Sequence, residues 1–226
     1  MKSWRLPPQQ RVMLALAGMT AISLGFYLVG MAQNHSSEFS YMAWNLFLAW
    51  IPLTFSIFLV FVLKTRLWSN WLPLLLTLLW LVFLPNTFYM ISDFIHIQDV
   101  VRHDLLYDIV MFTSFIFTAA LIGFISLYQV HAELIKRLGL RLSSSIIMII
   151  IFLCSFAIYL GRDLRWNSWD VLLNPAAILF DVSDRIIHPL GHSGAIMTTL
   201  SFFILIGGLY VVFWQISEAA RHRVNV

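Results

Sequence analysis

Six stretches of the chain, residues 12–31, 42–63, 71–91, 109–130, 143–160 and 195–216, contain no Lys, Arg, Asp or Glu. No other feature constrains the fold as much. A helix needs about 20 apolar residues to cross the hydrocarbon core of a bilayer. With no water there to satisfy backbone N–H and C=O groups, each such segment has to close its own hydrogen bonds as a helix. The expected fold is therefore all-α: a polytopic transmembrane bundle of six spans, forming one integral membrane domain over 1–226. No Gly/Ser linker divides the chain and no internal repeat is visible. The first stretch is longer than the apolar core of about 7–15 residues in a signal peptide, which predicts an uncleaved first helix.

Composition supports this reading. Of the 226 residues, 60% are hydrophobic and 11% charged, against about 45–50% and about 25% in soluble domains. These values exclude a soluble enzyme, a disordered chain and a nucleic-acid-binding protein. The net charge of +3 follows from topology rather than from a nucleic-acid footprint. The single cysteine, Cys154, excludes an internal disulfide framework and any Cys-rich metal centre.

Positive charges set the expected orientation. Ten Lys and Arg residues (Lys2, Arg5, Arg11, Lys64, Arg66, Lys136, Arg137, Arg141, Arg221 and Arg223) fall on one side, and four (Arg102, Arg162, Arg165 and Arg185) on the other. Both termini should face the cytoplasm. Trp4, Trp68, Trp71 and Trp214 mark the inner boundary and Trp44, Trp166 and Trp169 the outer one. Trp50 and Trp80 fall mid-span and should pack between helices.

The acids are distributed unequally in a way that topology does not require. Nine of the eleven fall outside, and only Glu133 and Glu218 inside. Five of the seven histidines, His35, His96, His103, His188 and His192, are also outside. The outer end thus concentrates potential bases, ligands and ion pairs.

Three segments carry the pattern. Around Pro85, which loosens the third span, Asn86, Tyr89, Asp93 and His96 follow spacings of three and four. If the helix continues they share one stripe, which Val100 and His103 would extend. Asp93 and His96 could ligate a metal ion together, or the carboxylate could orient the imidazole; a helix-end cap is the plain alternative. The fourth span opens with Asp104 and Asp108, where Asp104 suits the helix N-terminus and Asp108 lies deeper. The fifth span leads into Gly161-Arg162-Asp163-Leu164-Arg165-Trp166-Asn167-Ser168-Trp169-Asp170. Arg162 and Arg165 could grip a phosphate or carboxylate, Asp170 could act as a base or ligand, and Gly161 permits a close approach or a left-handed turn. The plain alternative is an ion-pair network to Asp93 or Asp108. Residues 168–188 predict one or two short interfacial helices, the first capped by Ser168 and the second interrupted or started by Pro175. His188 and His192 should lie in a loop. No Walker, nucleophile-elbow, His-Glu-x-x-His or dinucleotide motif is present.

Asn45-Leu46-Phe47-Leu48-Ala49-Trp50-Ile51-Pro52, Leu84-Pro85-Asn86 through Tyr89, Asp93 and His96, Tyr107-Asp108, and Gly161-Arg162 with Arg165-Trp166-Asn167-Ser168-Trp169-Asp170 resemble a family of bacterial polytopic membrane proteins known only as a domain of unknown function. The resemblance runs from the second span to about Pro175, and the Arg-Trp-Asn-Ser-Trp-Asp string is its most specific part. It implies a bacterial plasma-membrane location and a bulky apolar residue where this chain has Asp163. It implies no activity.

Two functional classes follow. One is an enzyme at the outer membrane face acting on a lipid or lipid-linked anion. Asp93, His96, Asp108 and Asp170 would be its catalytic groups. Arg162, Arg165, Asn167, Asn86, Tyr89 and Asn45 would contact substrate, and one divalent metal ion would sit on Asp93, His96 and Asp108. The other is a non-catalytic subunit or assembly factor of a membrane complex, or a small-solute transporter. Membrane lipids are the expected partners in either case. Asp93, His96 and Asp108 are expected to share one pocket, with Arg162, Arg165 and Asp170 in contact range.

Overall fold

The computed structural model describes residues 7–34, 39–99 and 105–224, and every regular element among them is helical. α1 spans Pro8–Asn34, α2 Ser40–Val62, α3 Trp71–Phe83 and α4 Pro85–Tyr89, followed by a 3-10 segment at Met90–Asp99. α5 spans Leu105–Asp163, α6 Asp170–Leu173 and α7 Pro175–Ile187; a 3-10 turn at Pro189–His192 leads into α8, Ser193–Val224. Val100, Arg102, His103 and Asp104, like Lys2, Trp4, Arg5, His35 and Glu38, lie outside the described residues.

Five helical stretches are long and apolar enough to cross a membrane. The expected fourth and fifth spans are one helical element, α5, of 59 residues. A straight helix of that length would reach about 90 Å at 1.5 Å per residue, three times the hydrocarbon thickness. α5 instead folds back at Gly139, whose φ of 76° and ψ of 168° are outside the helical region. Glycine adopts this left-handed φ without a Cβ clash. Ser143 Oγ donates to the Gly139 carbonyl at 2.6 Å, and Ser144 Oγ meets His131 Nε2 at 3.4 Å across the hairpin. The turn divides α5 into two arms, so that the five helical stretches supply about six apolar segments of spanning length.

α5 is the centre of the bundle and packs on α1, α2, α4 and α8. Its first half contributes Met111, Phe112, Phe115 and Ile116 to a core with Leu16 of α1 and Met42, Leu46 and Leu53 of α2. Both halves meet in a second core, where Leu127 and Val130 pack with Ile147, Ile151 and Ile158, Trp80 of α3 and Tyr210 of α8. One approach is very close: a Cβ on Gly123 would stand 2.8 Å from the Phe88 ring and closer still to Thr87 Oγ1, so only glycine lets α4 seat against α5. Several polar side chains inside the bundle find partners. Trp80 Nε1 donates to Ser126 at 2.8 Å, Ser56 Oγ to Gln129 Oε1 at 3.2 Å, and Trp50 Nε1 to Thr20 at 3.2 Å. Mid-span Trp50 and Trp80 thus pack between helices.

The bundle has two unlike ends. At the Gly139 end, Glu133 pairs with Lys136 and, at 2.7 Å, with Arg137, which also reaches the Leu63 carbonyl at the end of α2. At the other end lie the start of α2, the 3-10 segment, the end of α5, and α6 and α7.

Candidate functional site

The site begins with Pro85. Lacking an N–H, proline cannot continue the backbone ladder, and α3 gives way at Leu84 to the five-residue α4. The chain then tightens into the 3-10 segment. Three residues per turn eclipse side chains at i and i+3, so Asp93 and His96 stack on one face. The expected stripe persists through this change of helix type because the step of four, Tyr89 to Asp93, starts at the end of α4, and the step inside the 3-10 segment, Asp93 to His96, is three.

Asp93 is buried, at 1% exposure. Asn45 Nδ2 of α2 donates to its Oδ2 at 3.4 Å, and Arg162 Nη1, from the end of α5, lies 3.7 Å from its Oδ1. The same Nη1 stands 3.3 Å from His96 Nε2. A guanidinium can only donate, so in this contact Nε2 is the acceptor. The Tyr41 ring meets the His96 ring edge-on at 5.4 Å between centroids.

These groups form one end of a cavity of about 400 Å³. Tyr41, Trp44, Tyr89, Trp166 and Trp169 give it aromatic walls, and Leu48, Val82, Ala157 and Leu160 an apolar lining. Asn86 Nδ2 donates to Ser168 Oγ at 3.0 Å and ties α4 to the loop after α5. That loop curls back on its helix: Leu164 and Trp166 both donate backbone N–H groups to the Leu160 carbonyl at 3.2 Å. Gly161 sits where a Cβ would come within 3.2 Å of the Tyr89 ring and 3.3 Å of the Trp166 carbonyl. It serves close approach; the left-handed residue of the turn is Arg165, with φ of 60°.

Of the sequence-predicted site residues, Asp93, His96, Arg162, Asn45, Asn86, Tyr89 and Asn167 line this cavity. Three do not. Asp108 is buried at 1% exposure but is not among the lining residues. Its side chain shares a helical stripe with the core residues Met111 and Phe112, whereas neighbouring Tyr107 turns to α1 and donates to the Phe26 carbonyl at 2.6 Å. Arg165 is exposed, carried away by its left-handed backbone. Asp170 accepts the Asn167 backbone N–H at 2.8 Å and its Nδ2 at 3.3 Å, bracing a cavity residue from behind. Ser168 is not the cap of α6, because its hydroxyl faces Asn86 and Trp169 holds the N-cap position. Among the described residues no three His, Cys, Asp or Glu side chains stand close enough to hold a metal ion.

Sequence reasoning passed over Tyr41, Trp44, Trp166, Trp169 and Ile178 as cavity residues. Tyr41 is one turn before Asn45 on α2, a spacing that could have found it. Ile178 carries no such signal, since its place depends on how α7 folds over the loop. A second buried cluster was also missed: His131 Nδ1 meets Tyr210 Oη at 2.9 Å beneath the Trp214 ring.

Long helices with large apolar residues exposed along them, such as Phe61, Leu78, Phe117, Ile149 and Ile204, closing at one end on a cavity that holds Asp93, His96 and Arg162, define a polytopic integral membrane protein. The chain belongs to the family described as Protein of unknown function (DUF1361), whose model matches residues 44–209. That match covers every cavity residue except Tyr41. No curated protein and no solved structure matches the chain.

Proposed function

We propose that the cavity is a binding site, at the extracytoplasmic membrane face, for an amphiphile with an anionic group, and that Asp93, His96 and Arg162 act on that group. The observation that carries this reading is the placement of Arg162. Its guanidinium lies inside a mostly apolar and aromatic cavity, where an anion gains more from a positive charge than it would in water. Both described contacts of Arg162 use Nη1, and its planar fork has further donors for an incoming anion. An anion that draws Nη1 away from His96 releases the Nε2 lone pair. His96 is then placed beside the bound group as a proton acceptor, with Asp93 as its positioning charge. The extracytoplasmic assignment is supported by the ten-to-four division of Lys and Arg, which puts the Gly139 turn inside.

Native mass spectrometry of the detergent-purified protein tests the reading. The wild-type chain should retain an anionic lipid or lipid-linked species that Arg162→Gln loses, at equal folded yield. Equal retention by both proteins would remove Arg162, and with it this reading.

A further inference from the structure

α7 faces the wrong way for a helix at a watery rim. Ile178, Asp181, Val182 and Arg185 recur at spacings of three and four and form its half-buried, inward stripe. Asp181 Oδ2 accepts Trp166 Nε1 at 2.7 Å, and Arg185 Nη1 bonds Asp181 Oδ1 at 3.1 Å. The outward face carries Leu179 at 65% exposure, Phe180 at 73% and Ile187 at 68%, with small Ala176 and Ser183 between them. Apart from Asp184, which sits at the edge and is held by Arg185, His188 and His192, charges face in and apolar side chains out, an arrangement favoured where the surroundings are hydrocarbon and penalised where they are water. The Asp181–Arg185 pairing neutralises the inward charges, which lets the helix sit in a low dielectric. At 13 residues, about 20 Å at 1.5 Å per residue, α7 is too short to cross a core of about 30 Å.

The same segment walls the cavity. Ile178 of α7, Val171 of α6 and Trp169 line it, and Trp166 both lines it and holds Asp181. The far side of this wall is the exposed apolar face of α7.

We infer that α7 lies at the boundary between hydrocarbon and headgroups, and that the cavity takes an anionic phospholipid sideways from the bilayer past α7 rather than an anion from water. This rests on the anion-binding reading above and names its source. The acyl chains remain in the leaflet beside Leu179 and Phe180 while the anionic group reaches Arg162.

The test uses the full chain in phosphatidylcholine vesicles. Phosphatidic acid with a photoreactive acyl chain should label residues of α6 and α7. Arg162→Gln should lower that labelling at least tenfold, and millimolar glycerol 3-phosphate should not compete. In parallel, a spin label on Phe180→Cys should be more accessible to molecular oxygen than to a water-soluble nickel chelate. If glycerol 3-phosphate binds in an Arg162-dependent way and phosphatidic acid does not label, the anion site stands and lateral access falls. If neither binds, both readings fall. A Phe180→Cys label open to the nickel chelate, or cross-linking readily to a second copy, shows α7 in water or at a protein interface and overturns the inference.

Discussion

Arg162 Nη1 stands 3.7 Å from Asp93 Oδ1 and 3.3 Å from His96 Nε2, so one nitrogen at the end of α5 joins Asp93 and His96 of the 3-10 segment. The contact closes the bundle at this end and sets the charge of the cavity. Asp93 is almost fully buried, whereas a quarter of the Arg162 side chain is exposed (24%). The two residues therefore differ in what their loss costs.

Removing Arg162 strands a buried carboxylate. Arg162→Gln should destabilise the detergent-purified protein by about 1–3 kcal/mol, below the range for fully buried pairs because water reaches the guanidinium. Asp93→Asn combined with Arg162→Gln should recover most of that loss, since the amide needs no counter-charge. Thermal melting of the three proteins checks this. A double variant less stable than Arg162→Gln would show that the pair contributes little as a pair.

His96 is half-buried and touches Tyr41 and Arg162. His96→Ala should cost less than about 1.5 kcal/mol of stability while altering retention of the bound anion. Melting temperature and retained lipid, measured on the same preparation, separate the two effects. If both fall in proportion, the cluster is a structural ion-pair network and the proton-transfer role should be dropped.

Gly123 should not tolerate a side chain. A Cβ there would meet the Phe88 ring at 2.8 Å and crowd Thr87 Oγ1 more tightly still. Gly123→Ala should therefore push α4 off α5, at about 1–3 kcal/mol for overpacking. Gly18, with nothing within 4 Å of a Cβ, is the control. Gly18→Ala should melt with the wild type or slightly above it, because alanine favours the helix.

Topology is open to chemical labelling. Asn167 and Leu140 are exposed at opposite ends of the bundle. A cysteine at Asn167 should react with a membrane-impermeant thiol reagent in intact cells, and one at Leu140 only after lysis. The reverse pattern would invert the orientation and move the site to the cytoplasmic face.

Acid should loosen the end of α7. Asp184 lies between His188 at 3.2 Å and His192 at 2.9 Å, beside Arg185. Desolvation pushes its carboxyl up, but the hydrogen bonds and charges of the two histidines outweigh this and hold it below its ordinary value. A depressed folded value adds stability above the unfolded value of about 3.9, and that stability is lost as pH falls through the folded value. Asp184→Asn should lower the melting temperature at pH above the unfolded value and leave the acid end least affected, which flattens this acid limb of a melting-temperature profile.

The apolar stretches determine the spans, because charge-free length is a local property and the bilayer leaves helix as the only solution. The chain's polar residues also mark one end of the bundle as the site: Asn45, Asn86, Asp93, His96 and Arg162 all come from the predicted ends of spans and meet in one cavity. Tertiary structure alone decides the rest. It selects Asp93 rather than Asp108 as the partner of Arg162, turns Arg165 outward, uses Asp170 as a brace and rolls α7 so that Phe180 faces out and Asp181 in. The choice of Asp93 and the roll of α7 depend on the rotation of one helix about its axis relative to its neighbours, whereas Arg165 and Asp170 are set by the left-handed turn and local bonds of the loop after α5. That rotation is set by close approaches such as Gly123 against Thr87 and by side-chain partners far apart in the chain, neither of which is written in the local spacing of any one segment.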